Sequence, residues 1–426
     1  MSSVAPQLLI GIATADMTPP VGIVLAGYKD RIATSVGHRL RAEVMVCRSG
    51  GQRWALVIGE TVGFSGKFTN DLRRDVQRRT GIPATNVLLT ATHTHSGPST
   101  HRTAYPRGSK EAAYGKKLRR ILSDLVVKAD ATAAPGTFET ATINAPKWGS
   151  NRRIKQADGT WTNEWRDPKR RHPGYFDPSI LLVGVRRPNG RLDALLVNYG
   201  SHPVTFGPQN LAISGDYPSY LKAELEKKKA ARTAIFGISG HANINPPECI
   251  HKSPRYARTM GKALAKLIVK ALPRLKPLHS GPVASALVPW KLRLAQERPH
   301  GKGMNWESRD GFIRTQIMGL RAGDFSVVSI PGELFSEYVQ YFRANSPFPA
   351  TMVLSLGNDY AGYFPTDQAQ REGAYEARMA PGRLMEKTLK RLAITALKRC
   401  GKPAPARKPT RARRPARAGK LKAAAA

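Results

Sequence analysis

The stretch Val87-Leu88-Leu89-Thr90-Ala91-Thr92-His93-Thr94-His95-Ser96-Gly97-Pro98 decides how this sequence is interpreted. Its apolar first half predicts a buried strand, which Gly97-Pro98 ends. In an extended chain, residues i and i+2 point to the same side, so the rings of His93 and His95 can face one point. Neutral imidazole is the commonest metal ligand and a general base suited to neutral pH. The pair therefore predicts a metal or catalytic site in preference to a solvated, histidine-rich loop.

Other segments also run from an apolar strand into polar side chains. They are 195–203, which ends in Ser201-His202-Pro203, 325–333, which ends in Glu333, 352–360, which is followed by Tyr363, and 234–237, which leads into Asn243-Ile244-Asn245-Pro246. Polar groups just past the carboxyl ends of several strands form the binding crevice of an α/β sheet. Two histidines, a glutamate and a tyrosine could then close around one cation and leave a position open for water, as catalytic zinc requires.

The chain is strongly basic throughout its length. Its 426 residues carry 68 Lys and Arg against 30 Asp and Glu, a formal net charge of +38. Such a field attracts nucleic acid, anionic membranes or acidic substrates in a salt-dependent way. The alternative is a basic surface without a dedicated partner, because the basic residues are scattered and no nucleic-acid motif accompanies them.

Cysteine spacing and hydropathy argue against disulfide-rich, membrane-spanning and secreted classes of protein. Three cysteines without short spacing argue against a disulfide framework and against thiolate-bound zinc. No apolar run reaches the roughly 18 residues of a membrane helix. The amino terminus lacks the features of a signal peptide, since Leu8-Leu9-Ile10 already resembles a first strand. We therefore expect a cytoplasmic protein.

Strands and helices alternate along the chain, which predicts an α/β domain of layered, mixed sheets over residues 1–400. Helices are predicted at 68–79, at 110–129, behind Ser253-Pro254 and at 384–397. Residues 146–176 are polar and aromatic without periodicity, which predicts a long loop that is either functional or disordered. No internal repeat is evident. Residues 401–426 consist mainly of Lys, Arg, Pro and Ala, which predicts a disordered tail that could bind nucleic acid or anionic membranes weakly.

The histidine motif carries a family resemblance. Thr92-His93-Thr94-His95-Ser96-Gly97-Pro98 resembles the signature of the neutral/alkaline non-lysosomal ceramidases, and Gly11 to Pro20 resembles the start of their catalytic domain. Further matches follow in the family's order at Asn151-Arg152, Ser201-His202-Pro203-Val204-Thr205, Ser214-Gly215-Asp216-Tyr217-Pro218, Pro331-Gly332-Glu333, and Tyr360 through Glu376. The resemblance spans about residues 8 to 395 and implies the fold of that catalytic domain.

The resemblance also implies a ligand set and a reaction. It implies zinc held by His93, His202, Glu333 and a tyrosine, for which Tyr363 is favoured over Tyr360 by its distance to Tyr375. It implies hydrolysis of an amide bond in an N-acylated compound, as in sphingolipid metabolism, with zinc activating water and polarising the acyl oxygen.

Other residues then have implied roles. His95 would transfer the proton to the leaving amine, although spacing alone leaves it open as a metal ligand. Arg152 and Tyr375 would stabilise the oxyanion or position a small-molecule or lipid substrate. Asp216 would orient a ligand histidine or cap a helix.

The sequence departs from the family at one loop. Ceramidases carry Gly-Asp-Val-Ser-Pro where this chain has Ala242-Asn243-Ile244-Asn245-Pro246. Asn245 cannot act as the family's serine does, but its amide can donate to an oxyanion. The alternatives are therefore a metal-dependent esterase or an amidase of a non-lipid compound. A non-catalytic protein that binds nucleic acid or anionic membranes is the alternative from another class.

Overall fold

The computed structural model describes residues 7–29, 31–102, 105–171, 174–295 and 308–401. Its framework is three five-stranded sheets, each with four long strands. The first sheet contains β1 (Leu9–Asp16), β2 (Arg41–Ser49), β3 (Gln52–Gly59) and β4 (Val87–Ala91). The second contains β5 (Thr137–Asn144), β6 (Ser179–Arg186), β7 (Leu192–Tyr199) and β8 (Thr233–Ile238). The third contains β9 (Val283–Arg293), β10 (Phe312–Ala322), β11 (Phe325–Ser329) and β12 (Ala350–Leu354).

The three sheets share one connectivity. In each, the first three long strands form an antiparallel meander, and the fourth returns parallel to the third: β3 with β4, β7 with β8, and β11 with β12. A parallel neighbour requires a crossover connection, and a helix lies within each crossover. The described residues thus contain three copies of one arrangement of strands and helix, although no repeat is evident in the sequence. The sequence does not reveal the repeat because its three copies share a pattern of elements and no motif.

Helices cover the outer faces of the sheets. They are α1 (Gly66–Thr80), α2 (Lys110–Ala131), α3 (Asp216–Lys227), α4 (Arg255–Ala271), α5 (Glu337–Ala344), α6 (Asp367–Glu372), α7 (Ala374–Arg378) and α8 (Glu386–Cys400). The crossover helices of the three units are α1, α3 and α5. A second long helix follows each fourth strand: α2, α4 and α8. The boundaries of α1 have local causes, since the Ser65 hydroxyl accepts from the Phe68 amide and Gly81 ends the helix with φ 71°.

The inner faces of the three sheets meet in a common apolar core. Phe138 and Phe325 pack with ring centroids 4.8 Å apart, and the Trp54 indole donates to the Arg321 carbonyl at 2.7 Å. Residues of one strand alternate between this core and the helices, as Met45 and Val46 do. Both faces of each sheet are therefore covered, which explains why the strands read as continuous apolar runs.

Short strands add a fifth member to each sheet or pair loops with one another. They are Ser35–Val36, Ala134–Pro135, Ser150–Asn151, Arg153–Lys155, Trp161–Asn163, Ala212–Ile213, Ile244–Asn245, Lys276–Pro277, Ser308–Arg309, Glu333–Leu334 and Tyr363–Phe364. Three-residue 3₁₀ helices lie at Ala84–Asn86, Pro146–Trp148 and Leu272–Arg274. The segment 146–176 therefore has more regular structure than a long loop, because Ser150–Asn151 pairs with Ile244–Asn245.

The layered, mixed-sheet α/β architecture predicted from the sequence is confirmed, as are the predicted helices, to within a few residues at their ends. Pro254, not Ser253, directly precedes α4. The predicted tail lies outside the described residues except for Gly401, so its disorder and the 1–400 domain boundary remain predictions. Among the described helices, none has the length and apolar character needed to cross a bilayer.

Candidate metal centre

Four side chains converge from the carboxyl ends of the long strands. His93 follows β4, His202 follows β7, His241 follows β8 and Glu333 follows β11. All four are at most 1% exposed, and one ligand atom from each lies within 4.8 Å of the others. The repeated units bring these strand ends together, as expected for a crevice at the carboxyl edge of α/β sheets.

Glu333 is the common neighbour of the three imidazoles. Its Oε2 atom lies 3.1 Å from Nε2 of His202, 3.4 Å from Nε2 of His93 and 3.7 Å from Nε2 of His241. Donor atoms about 2.0–2.1 Å from zinc at tetrahedral angles would lie roughly 3.3 Å apart. The spacing therefore fits one small cation among the four groups.

Backbone carbonyls determine which ring nitrogen of each histidine is free. Nδ1 of His93 donates to Val62 O at 2.6 Å, that of His202 to His241 O at 2.8 Å, and that of His241 to Ser239 O at 2.9 Å. A neutral imidazole that donates through Nδ1 has its lone pair on Nε2. Each ring therefore turns an electron pair towards Glu333, the arrangement that metal-binding histidines use.

The centre leaves buried polar atoms without protein partners. Within the part of the chain that the structure describes, Nε2 of His202, Nε2 of His241 and Oε2 of Glu333 form no hydrogen bond. An unsatisfied buried polar group costs about 1–3 kcal/mol. Burial lowers the pKa of His202 to about 4 and that of His241 well below its ordinary value, so both stay neutral. The donor set therefore fits a divalent cation.

His95 lies against the centre but outside this group. Its Nε2 is 3.3 Å from Nε2 of His93, and its half-buried ring has its pKa lowered, chiefly by burial. A Cβ on Gly27, whose φ is 86°, would stand 2.3 Å from the His95 ring, so only glycine fits there. The sequence predicts that extended backbone brings the two rings together. That prediction is wrong, because His93 has a left-handed backbone with φ 70°.

The two tyrosines considered as ligands have different neighbours. The Tyr360 hydroxyl donates to Oε1 of Glu333 at 2.5 Å. Tyr363 pairs with Glu333 in a short parallel ladder, and its ring lies 5.5 Å from that of Tyr375. Burial, and next the Glu333 carboxylate, raises the pKa of both phenols well above 10, so both are protonated without a cation.

An aromatic and cationic wall adjoins the carboxylate. The Arg152 guanidinium lies 4.7 Å from the Trp165 ring and within 6 Å of Tyr363 and Tyr375. Its Nε donates to Glu376 at 2.8 Å and its Nη1 to Oδ1 of Asn245 at 3.2 Å. Nη2 of Arg152 is buried and has no hydrogen-bond partner among the described residues.

The structure thus brings the predicted site residues into two adjoining groups. His93, His202, Glu333 and His95 form one, and Arg152, Asn245, Tyr363 and Tyr375 form the other. Asn245 uses its amide nitrogen to donate to Trp165 O at 2.7 Å, so its proposed part as an oxyanion donor remains a prediction. Asp216 accepts hydrogen bonds from the Thr205 hydroxyl and from the amides of Tyr217 and Phe206. Among the described residues these partners include no ligand histidine, which does not support the orienting role, and the N-cap of α3 is Gly215, not Asp216.

His241 is the residue that sequence reasoning missed. The apolar run at 234–237 predicts the strand before His241, but the polar residues expected at its end are 243–246. A usable signal existed, since Gly240-His241 follows an apolar strand as Ser201-His202 does. Glu376 was also missed as a partner of Arg152, because its pairing depends on residues over 200 positions apart.

Comparison with known proteins places this geometry in context. The family model described as neutral/alkaline non-lysosomal ceramidase, N-terminal, matches residues 8–247. Neutral ceramidase B of Dictyostelium discoideum is 25% identical over 268 residues, and neutral ceramidase A of the same organism 24% over 272. Each alignment includes 58% of this chain but only 37% of the relative.

Solved structures share the fold over a larger part of the chain. The crystal structure of neutral ceramidase from Pseudomonas aeruginosa matches 93% of this chain and 75% of that one, with a TM-score of 0.74 and 16% identity. A ceramidase described as complexed with C2 matches 92% of this chain and 76% of that one, with a TM-score of 0.72 and 16% identity. The layered fold is therefore that of these proteins.

Proposed function

Because this chain belongs to the neutral/alkaline non-lysosomal ceramidase family, we propose that it is a zinc-dependent hydrolase of an amide bond in an N-acylated compound. The observation that supports the proposal best is the buried convergence of three Nε2 lone pairs and one carboxylate oxygen on a common point. Such a cluster is costly to maintain unless a cation completes it. A site of imidazole and carboxylate donors suits zinc.

The reaction adds hydroxide from water to the acyl carbon, breaks the carbon–nitrogen bond and places a proton on the amine. When bound, zinc activates water and polarises the acyl oxygen. Among the residues of this chain, we assign the proton transfer to His95, which lies half-buried beside His93 with its pKa lowered, chiefly by burial. The free Nη2 of Arg152 is assigned to the developing oxyanion or to a polar group of the substrate.

The remaining residues of the site position the substrate and the arginine. Asn245 accepts from Arg152 and is itself fixed by the Trp165 carbonyl, so it controls where the guanidinium lies. Tyr375 is assigned to substrate positioning, beside Trp165 and Tyr363. This aromatic surface next to the Arg152 guanidinium suits an N-acyl compound with an apolar chain and a polar amide.

The metal ligands are assigned as His93, His202 and Glu333, with Tyr363 as the tyrosine predicted from the family resemblance. Replacing each of the first three by Ala in turn should lower zinc content sharply, as measured by plasma emission spectroscopy of purified protein. Hydrolysis of a panel of N-acyl amides should fall in parallel. His38→Ala changes a half-buried histidine outside the cluster and provides the matched control. Unchanged zinc content in the triple variant would refute the assignment.

The esterase and binding-protein alternatives are tested by the same panel. Simple esters cleaved faster than every amide would favour the esterase. A zinc-loaded protein that cleaves neither class, yet binds DNA or anionic vesicles, would favour the binding protein.

A further inference from the structure

We propose that His241 is a metal ligand and occupies the coordination position that the family resemblance assigns to a tyrosine. The inference rests on the proposed metal dependence and goes beyond it, because it changes the ligand set to His93, His202, His241 and Glu333. Tyr363 then lies outside the ligand set as a neutral phenol.

The first argument is the placement of His241 in the repeated unit. His241 follows the fourth strand of the second unit, β8, as His93 follows the fourth strand of the first unit, β4. His202 and Glu333 follow the third strands of the second and third units, β7 and β11. His241 therefore lies at the same kind of position as the other ligands, just after the third or fourth strand of a unit.

The second argument is the orientation of its ring. Nδ1 of His241 donates to Ser239 O at 2.9 Å, which leaves the lone pair on Nε2. Nε2 lies 3.7 Å from Oε2 of Glu333, and the His241 ring centroid is 4.7 Å from that of His93 and 4.6 Å from that of His202.

A purely structural role does not explain this histidine. Its ring is completely buried, and among the described residues Nε2 has no hydrogen-bond partner. The Ser239 carbonyl accepts from Nδ1 of His241 and orients its ring. The His241 carbonyl in turn accepts from Nδ1 of His202. One ligand histidine is thus oriented by the backbone of the other, which links the geometry of the two.

The tyrosines have other partners that account for their positions. The Tyr360 hydroxyl is taken by Oε1 of Glu333, which orients that carboxylate and makes Tyr360 a positioning residue. Tyr363 contacts the ring of Tyr375 and faces the Arg152 guanidinium. With His241 in place, four protein donors surround the cation, so catalysis requires a fifth position for water.

The test measures zinc affinity of the metal-free full chain by competition with a chromophoric chelator. His241→Gln should weaken binding by more than about a hundredfold, beyond the roughly 10–100-fold loss typical of residues behind the ligands. Tyr363→Phe and the matched His95→Gln should stay within a few-fold of wild type. In the presence of a chelator, wild type and His241→Gln should melt at similar temperatures. Addition of zinc should raise the melting temperature of wild type much more than that of His241→Gln. The visible absorption spectrum of cobalt-loaded His241→Gln should differ from that of the cobalt-loaded wild type, whereas that of cobalt-loaded Tyr363→Phe should not.

Zinc affinity retained in His241→Gln and lost in Tyr363→Phe would overturn the inference and leave the proposed hydrolase intact. A wild type that binds zinc through His241 but cleaves no N-acyl amide would do the reverse, supporting the ligand and refuting the proposed function.

Discussion

The hydroxyl of Tyr360 donates a 2.5 Å hydrogen bond to Oε1 of Glu333. This bond occupies one carboxylate oxygen and leaves Oε2 facing the imidazoles of His93, His202 and His241. Burial acts to raise the pKa of Glu333, and positive charge on the neighbouring imidazoles would act to lower it. The hydrogen bond from Tyr360 holds the carboxylate in the orientation that a cation needs.

Removing the Tyr360 hydroxyl should weaken metal binding without removing a proposed ligand. Tyr360→Phe frees Oε1 and loosens Glu333, so zinc affinity should fall by roughly 10–100-fold. The measurement is competition titration with a chelator. Tyr341→Phe, on α5, is the matched control and should bind zinc as wild type does. Wild-type affinity in Tyr360→Phe would show that Glu333 needs no support from this phenol.

Replacing Asn245 should impair turnover more than metal binding. Asn245→Ala removes the acceptor of Arg152 and the predicted oxyanion donor. Loss of one such donor costs roughly a hundred- to a thousandfold in kcat, while zinc content should remain unchanged. Asn245→Ser should keep measurable activity. Steady-state kinetics on the best N-acyl amide would check this, and a wild-type kcat in Asn245→Ala would reduce Asn245 to a loop residue.

Removing the Glu376 carboxylate should destabilise the fold. Glu376 is fully buried and accepts from Arg152 at 2.8 Å and Arg153 at 3.0 Å. Breaking a buried ion pair from one side costs about 3–5 kcal/mol, so Glu376→Gln should lower the free energy of unfolding by an amount of that order.

The matched control for Glu376 is Glu372→Gln, because Glu372 also pairs with Arg153 at 3.0 Å but is partly exposed. That change should cost about 1 kcal/mol or less. Urea denaturation measures both variants. Equal losses would show that burial of the Glu376 network is not the source of its strength.

Two aspartates should give opposite dependences of stability on pH. Burial raises the pKa of Asp216 from 3.8 to about 6. Between about pH 4 and 6 the folded state then binds more protons than the unfolded state, so this group reduces stability as pH rises. Asp216→Asn should remove that fall, visible in the difference between the urea profiles of wild type and variant.

Asp193 provides the comparison of opposite sign. Although burial acts to raise its pKa, hydrogen bonds from Arg232 and Arg187 lower it from 3.8 to about 2. Its contribution is present above about pH 4 and is lost as pH falls towards 2. Asp193→Asn should remove stability at neutral pH and change it least under acid. Identical pH profiles for the two variants would contradict both assignments.

The basic tail should contribute to binding and not to chemistry. Residues 402–426 hold nine basic and no acidic residues, whereas Cys400, at the end of α8, is buried. Truncation after Gly401 should therefore preserve turnover and melting temperature while weakening binding to DNA or anionic vesicles, most at low salt. A full-length variant with tail Lys and Arg changed to Gln is the control for charge. Lost activity on truncation would show that the tail is part of the fold.

Local sequence determined the strands, most helices and the family of this chain. Apolar runs that end in polar residues located His93, His202 and Glu333 at strand ends, because strand periodicity and breakers are properties of neighbouring residues. The ordered motifs around them were sufficient for the family, which the match over residues 8–247 confirmed.

Only the tertiary structure decided how those side chains meet. The convergence of His241 with Glu333, the choice of free ring nitrogen in His93 and His202 by the carbonyls of Val62 and His241, and the burial of Glu376 depend on residues far apart in the chain. Such distances are determined by the packing of three sheets around one core, which no local pattern encodes. The repeat of the four-stranded unit was hidden for the same reason, since apolar packing constrains volume and direction and leaves the identity of most residues free.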